Sequence, residues 1–180
     1  MKTNKFIIFF LIKAIGLYIL WYVIYDLWLR KVGIIDTWVI DSIVYFSVNI
    51  LEAFGYMLFV DYHSIGLAET YSNVYIRNGC NGMELFALFT GFILIFKGSW
   101  KHKLWFIPFG VIIIHFLNIL RVIALIFSGK VSVHFLEFNH KYTFTIIMYI
   151  ITFIGWMIWV KYFSERGNPK GIIDEEFKSK

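Results

Sequence analysis

The sequence predicts an all-α integral membrane protein. The expected form is a bundle of four or five transmembrane helices with an interfacial amphipathic helix and a short extracytoplasmic β-hairpin. Two observations carry this. Of the 180 residues, 59% are hydrophobic and 16% charged, whereas a soluble domain has roughly 45–50% and about 25%. The apolar residues also gather into runs near the roughly 20 residues that cross a bilayer. Length and the lack of an internal repeat suit one domain over 1–163, with a polar cytoplasmic tail at 164–180. A single Cys excludes an internal disulfide framework and Cys-rich zinc sites. The net charge of +5 is scattered in short pieces between apolar runs. That pattern fits lysines beside anionic lipid headgroups and does not indicate nucleic-acid binding.

Four runs meet the length standard: Phe6 to Leu29, interrupted by Lys13 and Asp26; Met83 to Phe96, extended by 78–82; Leu104 to Phe127; and Tyr142 to Phe163. The first has a basic start like a signal peptide, but its apolar part is too long and no small-residue cleavage site follows, so a retained helix is expected. A fifth run, Trp38 to Tyr56, gathers Asp41, Ser42, Tyr45, Asn49, Glu52 and Tyr56 on one helical stripe. It is expected to lie flat in the interface, the alternative being a fifth span with its stripe turned inward. Four spans put ten Lys/Arg on the cytoplasmic side and five outside (Arg30, Lys31, Arg77, Lys130, Lys141); with five, Lys2 and Lys5 exchange sides with Arg30 and Lys31 and the count stays ten to five. The loop Lys97–Lys103 and the tail then face the cytoplasm, while Leu58–Asn78 and the loop Ser128–Lys141 face outward. Leu58–Asn78 reads as a β-hairpin with Gly66 between two extended runs.

Ionisable residues at membrane depth are costly, so each one asks for a reason. Three fall on the outward side of consecutive helices: Cys80 ahead of Asn81-Gly82-Met83-Glu84, Arg121 in Asn118-Ile119-Leu120-Arg121, and His140 after Glu137-Phe138-Asn139. Taken singly, each has an ordinary reading as packing thiol, snorkelling arginine or surface histidine. Together they describe an acyl-transfer site. A thiol becomes a nucleophile beside a base. Arg121 cannot act as a base but can stabilise a developing oxyanion. His134 and His115 are rival bases, His134 by its loop position. Glu84, one turn on from Cys80, is expected to pair with Arg121; Asn118 is expected to hydrogen-bond across the bundle. A non-catalytic membrane assembly partner is the alternative. A transporter is disfavoured, because the second run is nearly all apolar beyond Glu84.

The runs from Asn78 to Phe86, Asn118 to Ile123 and His140 to Phe144 resemble the exosortase/archaeosortase family, and more narrowly the short exosortase form called XrtF, over roughly 54–163. The resemblance implies a cysteine transpeptidase of Gram-negative inner membranes whose site faces the periplasm. It implies a partner too: a substrate protein with a C-terminal sorting tail of short motif, transmembrane helix and basic cluster, cleaved before the helix. Membrane lipid surrounds both. By motif, Cys80 matches the nucleophile, Arg121 the arginine and His140 the third member of the triad, with Asn81, Glu84 and Asn118 in support. No cofactor or metal is needed for this chemistry. The sequence departs from the common pattern in having Asn81 for Ser, and Glu84 where many members carry Arg. The archaeal branch has a second arginine where His140 stands, and full-length exosortases are longer.

Overall fold

The computed structural model describes residues 12–13, 15–70, 72–77 and 80–164. Residues 6–11 of the first run, Asn78 and Gly79 of the Cys80 motif and the tail from 165 lie outside them. The first helix, α1, covers 15–32 and contains a π-helical stretch, Tyr22–Leu29. Then come α2 (Ile34–Ala53), strands β1 (Leu58–Asp61), β2 (Ser64–Leu67) and β3 (Asn73–Tyr75), and helices α3 (Met83–Ile95), α4 (Trp100–Val131) and α5 (Val133–Phe163). Among the described residues, three helices, α2, α4 and α5, are long and apolar enough to cross a membrane. The residues expected to form a flat helix thus make one of the three.

The expected polar stripe of α2 is put to use. Ser42 Oγ meets His115 Nε2 on α4 at 3.2 Å, and Asp41 Oδ1 meets His63 Nε2 beside β2 at 3.0 Å. Asp36, Val39, Ile40, Ile43, Ser47 and Leu51 form the buried face. The helix ends in a Schellman turn, with Tyr56 N–H donating to Leu51 O at 3.1 Å and Gly55 N–H to Glu52 O at 2.9 Å.

The β segment differs from the hairpin expected. It is a three-stranded antiparallel sheet in the order β1-β2-β3, with Leu58 opposite Leu67 and Ser64 opposite Tyr75. Gly66 lies within the central strand between Phe59 and Asn73, where an added Cβ would stand 2.9 Å from Ser72 O. The first turn falls instead at Tyr62-His63, and Tyr62 takes the left-handed φ of 49° that a glycine or asparagine usually supplies. Ile65, Leu67, Val74 and Ile76 join α2 and α4 in one core.

A second core lies between α3, α4 and α5. Lys103, counted as a cytoplasmic loop charge, belongs here: α4 begins at Trp100, and the buried Lys103 ammonium donates to Leu94 O and Phe96 O at 2.9 and 2.8 Å. It thereby fills carbonyls that the end of α3 leaves open. Phe89 is wedged between two glycines. A Cβ on Gly110 would come within 2.2 Å of its ring, and one on Gly155 within 2.9 Å. With both sides closed, the ring cannot swing away. Gly110→Ala is therefore expected to destabilise the fold by about 1–3 kcal/mol through overpacking. Thermal unfolding in detergent should show the loss, and Phe89→Leu in the same chain should restore most of it.

The outward loop expected over Ser128–Lys141 is not a loop. α4 runs to Val131, Ser132 alone breaks the helix at φ −169° and ψ 156°, and α5 starts at Val133. Ser132 Oγ accepts Phe135 N–H at 3.0 Å, capping α5. One extended residue is enough to reverse the chain, so α4 and α5 form a tight antiparallel pair.

Candidate active site

Cys80 occupies the junction between β3 and α3, two residues ahead of the cap residue Gly82. Its N–H donates to Arg77 O at 2.8 Å, and its carbonyl accepts Asn118 Nδ2 from α4 at 3.1 Å. Gly82 has φ 84°, and a Cβ there would stand 3.3 Å from Asn118 Nδ2. Glycine therefore serves both the left-handed turn and the close approach of Asn118. Asn81 turns away from the thiol: it is buried, its Nδ2 donates to Asp36 Oδ1, and its Oδ1 accepts Met83 N–H at 3.1 Å.

His140 lies in α5 within a π-helical turn, Asn139–Thr143, not in a loop. Phe144 N–H reaches back five residues to Asn139 O, which widens the helix at this point. The turn is pinned to α4 by Asn139 Nδ2, which donates to Ser128 Oγ at 3.4 Å, while Ser128 Oγ donates to Ala124 O at 2.8 Å. Thr145 Oγ1 donates to His140 O at 3.1 Å, and Arg121 Nη2 reaches the same oxygen at 3.5 Å. The imidazole Nε2 is 2.9 Å from Cys80 Sγ.

Cys80, Arg121 and His140 line one cleft of about 410 Å³ with Glu137, Lys141 and Thr145. The half-buried Cys80 is thus open to a ligand while in contact with the imidazole. Arg121 has a buried Nε with no partner among the described residues and holds only a long contact to a carbonyl. Its guanidinium is therefore free to take a better acceptor entering the cleft. The arrangement can move a proton between sulfur and nitrogen and place a fixed positive charge beside the reacting atoms.

Other expected residues fall elsewhere. Glu84 is exposed, does not line the cleft and forms no ion pair with Arg121. The expectation counted four residues along one helix from Cys80, but α3 begins at Met83 and the left-handed Gly82 turns the chain between them. His134 is exposed on α5 outside the cleft, and His115 is engaged with Ser42. Asp36 was missed altogether. A carboxylate on the apolar face of α2, in step with Val39, Ile40 and Ile43, was the signal that could have found it.

No curated protein and no solved structure matches the chain. The transmembrane exosortase family model matches residues 6–160, which take in all five helices through most of α5. This match covers most of the sequence and agrees with the three helices fit to cross a bilayer. The chain is therefore a membrane protein belonging to the transmembrane exosortase family, whose members act broadly as membrane transpeptidases.

Proposed function

We propose that this chain is a cysteine transpeptidase or protease of the short XrtF-like exosortase type, cleaving C-terminal sorting tails of exported proteins at the periplasmic side of a bacterial inner membrane. The observation that carries the reading is the 2.9 Å approach of Cys80 Sγ to His140 Nε2 in a cleft shared with Arg121. In the first step His140 Nε2 takes the thiol proton and Sγ attacks the scissile carbonyl carbon. The carbonyl electron pair moves to oxygen, where Arg121 stabilises it. Cys80 N–H is already bonded to Arg77 O, so the guanidinium takes this task in place of that backbone donor. The pair then returns, the C–N bond breaks, and His140 delivers its proton to the departing amine. The resulting thioester is attacked by water or an amine that His140 deprotonates, and the thiol is regenerated.

The test uses the full chain in proteoliposomes with a substrate bearing a sorting-type tail. Because Cys80 is the sole cysteine, alkylation with N-ethylmaleimide modifies one thiol. Wild-type protein should shorten the substrate and pass through a hydroxylamine-labile adduct at Cys80. Alkylated protein should leave the substrate intact. Equal shortening after complete alkylation would overturn the reading and favour a membrane partner that assists another enzyme.

A further inference from the structure

Asp36 is a buried carboxylate that the proposed steps do not use. It is 1% exposed, in the first turn of α2. An acidic residue so placed commonly serves the free N–H groups of its own helix, yet no side chain caps α2. Its Oδ1 instead accepts two neutral donors from other parts of the chain, Tyr25 Oη of α1 at 2.6 Å and Asn81 Nδ2. Its Oδ2 has no partner among the described residues. A carboxylate removed from water is costly even when fully bonded. Packing alone would be served as well by an apolar side chain.

The chain of contacts leads to the thiol. Asn81 follows Cys80 directly, is 1% exposed, and through Oδ1 also holds the N–H of Met83, the first residue of α3. The Cys80 turn is thus gripped at two points: Asn118 of α4 on the Cys80 carbonyl, and Asp36 of α2 on the next side chain. One hydrogen bond would leave the turn free to pivot about it. Two, from different helices, fix its orientation. We infer that Asp36 is a positioning residue which, through Asn81, sets the approach of Cys80 Sγ to His140. This rests on the reading of Cys80 and His140 as the working pair. It makes α2, and α1 through Tyr25, part of the catalytic apparatus and not merely a wall of the bundle.

The test reads the coupling without substrate. Cys80 is alkylated by iodoacetamide in the folded, purified full chain, in wild type, Asp36→Leu, His140→Ala and the double variant. In wild type, His140→Ala should slow alkylation. In the Asp36→Leu background the same change should have little further effect, because the imidazole no longer meets the sulfur. Asn81→Ala cuts the same link from its other end. It should abolish the coupling equally, and it decides the matter if Asp36→Leu does not fold. Asp36→Asn keeps an acceptor at Oδ1 and should restore the coupling. In the processing assay Asp36→Leu should lower kcat about 100-fold, as a displacement of about 1 Å does, with KM little changed. Independent, multiplicative effects of Asp36 and His140 on alkylation would overturn the proposal. If Cys80→Ser stops processing while those effects multiply, the positioning role alone falls. If Cys80→Ser processes normally, the catalytic reading falls, and the alkylation cycle still reports whether Asp36 orients the thiol.

Discussion

Cys80→Ser is expected to reduce processing of a tail-bearing substrate by at least about 10³-fold, to no visible product on a gel. The substitution is nearly isosteric, so Asn118 can still hold the residue 80 carbonyl and Gly82 can still make its turn. What changes is the atom beside His140 Nε2. A hydroxyl gives up its proton far less readily than a thiol and is a weak nucleophile without strong activation. Unchanged thermal stability with lost processing is the expected pair of results. Normal processing by the serine variant would remove Cys80 from the chemistry.

His140→Ala should lower processing about 10²–10⁴-fold, the usual contribution of a positioned base, while His134→Ala should leave it unchanged. The contrast is informative because both histidines belong to α5, six residues apart. His140 meets the sulfur and lines the cleft, whereas His134 is exposed outside it. The initial rate of shortening, measured at equal protein levels in the membrane, distinguishes them. Loss of activity in the His134 variant with full activity in the His140 variant would transfer the base to His134.

The helical part of this fold was legible because membrane spans need long apolar runs: two of the four expected spans survive as α4 and α5, whereas Met83–Ile95 is shorter than a span and the run expected to lie flat is long enough to be one. Legibility failed where the chain turns without the usual residues. The reversal at Ser132 uses neither Gly nor Pro, so 128–141 read as a loop and His140 as a loop residue. The first sheet turn rests on Tyr62, which carries no turn signal, and Gly66 drew attention away from it. The grouping of Cys80, Arg121 and His140 was readable because each lies toward the same end of one of three consecutive apolar runs joined by short connections. The partner of Asp36 was not, because the hydrogen bond that gives this carboxylate its meaning spans 45 residues to Asn81. Glu84 misled for the opposite reason: helical spacing was applied across a residue whose backbone is not helical.

The 13 residues of α3 give it a rise of about 20 Å, against a hydrocarbon layer of about 30 Å. On the reading proposed above, with its Lys97 end at one surface, the helix would stop about 10 Å short of the other, and Cys80 would stand in that shortfall. A peptide arriving from the water would have to shed its hydration to follow it down. A chain already anchored in the bilayer reaches the same depth by lateral diffusion, needing only to fray its helix at one end. The recess would then sort proteins by residence in the membrane before any side chain is read.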